Sequence, residues 1–414
     1  MLALYRLFVW LLRVGIGLAA WWNPKAALWV SGRKDLYTAL KETLSEDRKI
    51  IWVHCASAGE LEQGKPVIDL YKKNFPGHQV LITFFSPSGF EAGTRYKGAD
   101  YVFYMPLDTA GNATRFVDIV QPELAIFIKY DFWFYHLKAL NDRQIPVLLV
   151  SSIFRKGQLF FRWYGSFYRG ILQFFTWIFV QDEHSIQLLQ AIKIRHCSLG
   201  GDTRFDRVSS ITENRVSLDG LDSFVASGSV LVAGSTWLND EILLAEVLPA
   251  LPSHCKLIIA PHEVTAAHLL KLKELFNDTI LYSEIKRYAQ QRVLLINNTG
   301  LLSQLYQYAT IAYIGGGFNR SGIHNTLEAA AWGKPVVIGP NFQKFAEART
   351  LVNNGGAFSI ASAKELRDVV LNLLDDTSLL HHSGETGGAY VQANKGASQK
   401  VITYIQENRL LTMA

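Results

Sequence analysis

From Ile50 onward the chain repeats one pattern. A short run of β-branched and other apolar residues leads into a turn of small or polar residues, then into a stretch whose apolar positions recur every three to four residues. Runs that are apolar at nearly every position suit strands covered on both faces, so the alternation predicts parallel sheets flanked by helices. In the first half the strands are expected at 50–54, 79–84, 124–128, 146–150, 177–181 and 196–199, with helices at 59–74, 109–120, 131–142 and 183–192. Residues 208–228 are polar and Ser-rich and read as a linker. A second rhythm occupies the other half, with strands at 229–233, 256–260, 292–296, 310–314, 335–338 and 357–360, and helices at 239–250, 264–276, 300–308, 325–332, 344–354 and 363–374. The expected class is α/β, with two doubly wound domains at 31–207 and 229–388. A C-terminal helical segment, 389–414, returns to the first domain. In such folds ligands sit at the carboxyl ends of the strands, which here implies a cleft shared by two sheets.

The first thirty residues break the rhythm. Residues 2–22 are apolar except for Arg6 and Arg13, which stand seven apart on one helix face. The run is marginal for a bilayer span of ~20 residues. Its arginines can snorkel, and Trp21 and Trp22 suit the headgroup level. Residues 1–30 therefore read as a membrane anchor, monotopic or spanning, with Lys25, Arg33 and Lys34 keeping the rest of the chain cytoplasmic. A cleaved signal peptide and a buried first helix are the alternatives.

Composition sharpens this. The 414 residues suffice for two or three domains with full cores, and three scattered cysteines exclude a disulfide framework or a Cys-x-x-Cys redox motif. The net charge of +5 is uneven: through Arg207 there are 25 basic and 18 acidic residues, and beyond it 16 and 18. A basic first half points to an anionic partner. Residues 154–179 hold eleven aromatics, four basic residues and no acid. With the N-terminal segment, Arg155, Arg162 and Arg169 favour an anionic membrane or a phosphorylated lipid over nucleic acid. Packed core helices with snorkelling arginines are the plainer account.

Four loops can carry chemistry. After the first strand, Ser57, Gly59 and Glu60 open a helix whose dipole favours an ionised carboxylate, suited to a general base or simply to capping. Gly316 and Gly317 lie in a triglycine turn ahead of Asn325 and Glu328, which suits a phosphate and a ribose. Ser235 and Thr236 follow the strand 229–233 as phosphate ligands or helix caps. Arg204 follows the strand 196–199, free to meet a phosphate or salt-bridged in place. No Asp-x-Asp pair or metal-ligand cluster occurs, so no metal or other cofactor is expected in the chemical step.

Taken in order, His54…Ser57-Ala58-Gly59-Glu60, Ser86-Pro87-Ser88-Gly89, Gly201-Asp202-Thr203-Arg204-Phe205-Asp206, Ala233-Gly234-Ser235-Thr236 and Gly315-Gly316-Gly317-Phe318…His324-Asn325…Glu328 resemble the 3-deoxy-D-manno-octulosonic acid (Kdo) transferases. The resemblance implies a GT-B glycosyltransferase of two Rossmann-like domains, working at the cytoplasmic face of the inner membrane in lipopolysaccharide assembly. It implies CMP-Kdo as donor, a lipid A precursor as acceptor and Glu60 as catalytic base. Arg204, Ser235, Thr236, Pro261, His262, Gly316, Gly317, Asn325 and Glu328 then fall on the donor side. Ser57, Gly59, Ser86, Ser88 and Asp131 fall on the acceptor loops. The family's Pro-Arg-His reads Pro261-His262-Glu263 here, and its Glu-rich segment before a Trp reads Lys129-Tyr130-Asp131-Phe132-Trp133. A membrane-associated GT-B enzyme using a UDP-sugar shares these features, and a non-catalytic tethered binding protein is a third reading.

Overall fold

The computed structural model describes residues 1–45, 48–226, 228–287 and 291–411. The chain divides into two units, Met1–Arg207 with Lys395–Ala414, and Val208–Asn394. The first unit is built on β1 (Ile50–Cys55), β2 (Gln79–Phe84), β3 (Tyr101–Tyr104), β4 (Leu124–Ile128), β5 (Val147–Ser152), β6 (Trp177–Val180) and β7 (Cys197–Leu199), ordered β3-β2-β1-β4-β5-β6-β7. Every neighbouring pair is parallel, with His54 opposite Thr83 on one side and Phe127 on the other. The chain starts at β1, grows to one edge and returns to β1's other side at β4. That reversal leaves a crevice beyond the carboxyl ends of β1 and β4. Both strands are buried at every position, as their unbroken apolar runs require.

Helices α1 (Leu2–Ala19), α2 (Pro24–Ser31), α3 (Leu36–Thr43), α4 (Ala58–Asn74), α5 (Pro87–Thr94) and α6 (Ala110–Val120) precede β4. The last three start where a hydroxyl can take an orphan N–H: Ser57, Ser86 and Thr109 accept from Glu60, Gly89 and Asn112. Helix α1 is long and apolar enough to cross a membrane by length and composition. It is not a buried first helix, because only Val9 is buried. It is nonetheless tied to the unit, with the Tyr5 hydroxyl donating to Asp108 and Arg6 Nε to the Tyr135 hydroxyl at 2.5 Å.

The second unit repeats the scheme with β8 (Val230–Thr236), β9 (Lys256–Pro261), β10 (Thr279–Leu281), β11 (Val293–Leu295), β12 (Ile311–Ile314), β13 (Val336–Ile338) and β14 (Ala357–Ser359), ordered β10-β11-β9-β8-β12-β13-β14. Its reversal lies between β8 and β12. Strands β3 and β10, which the sequence reading did not include, are short edge strands of four and three residues.

Two stretches differ from expectation. The segment 208–228 is not an open linker: helices Thr203–Glu213 and Leu221–Val225 fill much of it, and Val208, Leu218, Leu221 and Phe224 are buried. Leu218, Leu221 and Phe224 stand three apart, but Asp219, Gly220, Asp222 and Ser223 between them make the stretch read as polar. Residues 389–394 do not return to the first unit but end the helix Thr377–Asn394. The chain turns at Gly396, left-handed at φ 109°, and the helix Ala397–Glu407 packs Val401, Ile402 and Ile405 into the core with Ile51 and Val53. Asp206 caps that helix by accepting the N–H groups of Gly396 and Ser398.

Candidate active site

Glu60 occupies the third position of α4, at the mouth of the β1–β4 crevice. Its Oε2 accepts the Ser57 N–H at 3.1 Å while Ser57 Oγ accepts the Glu60 N–H, a reciprocal capping box. Capping does not exhaust the carboxylate, since one oxygen takes that bond. Burial raises the Glu60 carboxyl above its ordinary value, and the Asp131 charge raises it further, against His54, the accepted N–H and Lys129. It is a carboxylate with raised proton affinity, as a base needs.

Behind it lies a buried polar chain that the sequence pattern did not single out. Trp52 Nε1 donates to Thr83 Oγ1 at 2.8 Å, and Thr83 Oγ1 meets His54 Nδ1 at 2.8 Å. The other ring nitrogen of His54 lies 3.1 Å from Asp131 Oδ2, off hydrogen-bond alignment. Alternation along β1 puts Trp52 and His54 on one face, and parallel pairing places Thr83 beside His54. Asp131 thus comes from the loop across the reversal. Lys129 opens that loop at φ 72°, and Ser151 ends β5 at φ 59°, both in the left-handed region that costs a side chain energy. Ser86 caps α5 after β2 and Ser88 stands in its first turn, their hydroxyls 3.3 Å apart, and the Ser86 N–H donates to the Ala56 carbonyl. Gly59 stays exposed on the first turn of α4. Arg204 is not free: it is ion-paired with Asp202, Nη2 to Oδ2 at 2.6 Å.

In the second unit the predicted residues again gather at the reversal, but several are already committed. Gly316 N–H donates to Asp240 Oδ2 at 2.9 Å, so it is not available to a phosphate. Buried Asp240 also takes the Trp237 N–H at 2.9 Å and the Tyr313 hydroxyl at 2.8 Å. The triglycine turn serves packing: a Cβ on Gly315 would stand 2.3 Å from the Ser235 carbonyl oxygen, and one on Gly317 2.5 Å from Gly339. Thr236 is buried and gives its hydroxyl to Glu241 at 2.9 Å. Asn325 caps rather than opens a long helix, since Leu327–Ala331 is a single short turn; its amide donates to Glu328 at 3.1 Å. Ser235 sits at φ 54° at the end of β8.

The exposed feature here is an aromatic stack from three strand ends. Trp237 lies over His262 at 4.6 Å between ring centroids, and His262 over His324 at 4.5 Å. His262 follows Pro261, the last residue of β9. Trp237 Nε1 donates to His324 Nε2 at 3.0 Å. Burial and the neighbouring His262 pull His324 down to about 4, so it accepts that bond as a neutral ring.

Residues 31–207 match the family described as 3-deoxy-D-manno-octulosonic-acid transferase (kdotransferase). A 3-deoxy-D-manno-octulosonic acid transferase of Aquifex aeolicus is 25% identical over 361 residues, 85% of this chain and 94% of the relative. One from Haemophilus influenzae is 26% identical over 372 residues, 86% of each chain. The chain is thus similar to the Kdo transferases, over residues 31–207 by the family and over most of its length by these relatives. Its two parallel-sheet units are of GT-B type, and a UDP-GlcNAc 2-epimerase from Neisseria meningitidis shares the fold with a TM-score of 0.62 and 18% identity, covering 87% of this chain and 100% of that one.

The aromatic stretch 154–179 has two parts. Phe154, Phe160, Ile171, Leu172 and Phe175 enter the first unit's core. Arg169 braces the loop, donating to the Phe160 and Arg162 carbonyls at 3.1 and 3.0 Å, and is not a free lipid contact. Arg155 and Arg162 are on the outside, as are Trp163 at 91% exposure, Trp21 at 86% and Trp22 at 73%.

Proposed function

We propose that this chain moves Kdo from CMP-Kdo to a lipid A precursor, a phosphorylated and acylated glucosamine disaccharide, with Glu60 as general base. The observation that carries the reading is Glu60 itself, at the reversal of a doubly wound sheet with its proton affinity raised by burial and Asp131. In this mechanism an acceptor hydroxyl attacks the anomeric carbon of Kdo. Its proton passes to Glu60, the bond from that carbon to the phosphate oxygen breaks, and CMP leaves with the electron pair. The anomeric centre inverts in one displacement. Asp131 and His54 position the base and tune it.

The second unit takes the donor in this reading. The exposed ring of His262 on Trp237 offers a face to the cytosine, in place of the arginine that other members carry at that motif. Ser235, Gly317, Asn325 and Glu328 line the adjoining strand ends for phosphate and ribose. Arg204 contributes only on leaving Asp202. No metal is invoked, because the nucleotide phosphate is already a good leaving group. The exposed apolar side of α1, with Trp21 and Trp22, rests on the cytoplasmic face of the inner membrane, where the acceptor's sugars protrude.

Ligand competition tests the donor. CMP should protect the second unit against thermal unfolding and UDP should not. Protection by UDP alone would contradict CMP-Kdo and favour a UDP-sugar donor.

A further inference from the structure

Apart from the β1–β4 crevice, the first unit holds a cavity of about 450 Å³ walled by α1, α2 and the segment from β3 into α6. Arg13, Arg33 and Lys34 line it and no carboxylate does; the remaining wall includes Trp29, Val30 and Leu107. Arg33 is drawn inward. Its Nε, Nη1 and Nη2 donate to the Met105, Trp29 and Phe85 carbonyls at 2.9, 2.9 and 3.0 Å, and its guanidinium carbon lies 3.8 Å from the Trp29 ring centroid. Burial lowers it to about 9. Three carbonyls accept from this half-buried guanidinium but no anion is paired with it, and a cation taken partly out of water without one is costly. Arg13 and Lys34 have no ion-pair partner among the described residues. Thr109 and Asn112 bring the start of α6, an eleven-residue helix, to the same wall, adding its positive end.

The cavity also reaches α1 through Arg13 and Gly17, and the neighbouring positions Trp10, Val14 and Leu18 are exposed. Three cations without an acid beside an uncovered apolar helix face match one chemistry: a phosphate attached to acyl chains. We propose that this cavity seats the headgroup of an anionic phospholipid of the bilayer, with its acyl chains along the exposed face of α1. The site lies beside the segment that follows β3, the edge strand, two strands away from β1 and Glu60. It rests on the membrane reading above but not on the sugar donor or the base.

The test is flotation of the full chain with phosphatidylcholine vesicles, with and without phosphatidic acid. Wild type should prefer the phosphatidic acid vesicles about tenfold. Arg13→Gln with Lys34→Gln should abolish most of that preference, whereas Lys25→Gln with Lys41→Gln, an equal charge loss outside the cavity, should keep most of it. Gly17→Leu separates a seat from diffuse attraction. A Cβ at Gly17 meets nothing within 4 Å, so the variant starts its larger side chain from open space at the cavity wall, keeps every charge and adds apolar surface. It should lose the preference. Equal losses in both charge variants, or an unchanged preference in Gly17→Leu, would overturn the proposal. So would a Gly17→Leu protein with normal flotation and a raised KM for a phosphorylated acceptor, which would assign the cavity to the acceptor. Flotation needs no turnover, so its failure is distinguishable from failure of the Kdo-transfer reading.

Discussion

Glu60 joins two roles that the sequence presented as alternatives, because one oxygen serves the cap while the environment holds the proton affinity up. Glu60→Gln retains a capping side chain and loses the base. Turnover should fall about 10²–10⁴-fold with the melting temperature nearly unchanged. Asp131→Asn removes a charge that raises the Glu60 carboxyl, so the acid limb of the rate–pH profile should move to lower pH. An acid limb that stays in place would show that Asp131 does not tune the base. The serine-glycine-glutamate loop was legible because capping leaves a local signature. His54, Thr83 and Asp131 were not legible as a group, since three separate strand ends build it. The Trp237, His262 and His324 stack was hidden for the same reason. The triglycine turn misled in the opposite direction. Its composition suits a phosphate, but its Gly316 N–H goes to Asp240, Gly315 is crowded by Ser235 of β8 and Gly317 by Gly339 just past β13.

At the scale of elements, the unbroken apolar runs marked the central strands to within a residue or two, while β3 and β10, edge strands of four and three residues, were too short to stand out. The docking of α1 was invisible in its sequence, which is apolar nearly all round. It depends on buried Asp108, which accepts the Tyr135 and His136 N–H groups at 2.9 Å each and the Tyr5 hydroxyl. Asp108→Ala leaves these donors unpaired and should cost about 3 kcal/mol, read from urea denaturation. His136 and the accepted bonds hold the Asp108 carboxyl below its ordinary value against burial. Its stabilisation is therefore complete above the ordinary carboxylate range and is lost as pH falls through the depressed folded value. The Asp108→Ala protein should show a correspondingly weaker acid destabilisation. Gly317→Ala drives a methyl into Gly339 and should destabilise the second unit by about 1–3 kcal/mol, with the first unit's melting unchanged.

Across the whole molecule, charge and apolar surface are distributed in one sense. The excess of basic residues falls before Val208, in the unit that also carries α1, Trp21, Trp22 and Trp163 exposed. Burying an aromatic side chain in lipid is worth about 1.5–3 kcal/mol. Trp21→Ser with Trp22→Ser should thus weaken vesicle binding by roughly tenfold or more, and unchanged partitioning would remove α1 from the membrane contact. The most direct test of the central claim is the transfer itself. Detergent-solubilised wild type and Glu60→Gln are given a CMP-Kdo supply and tetraacylated lipid A precursor, and the products are weighed by mass spectrometry. The account predicts a gain of at least one Kdo with wild type and almost none with Glu60→Gln. No gain with wild type, or equal gains with both, would contradict it.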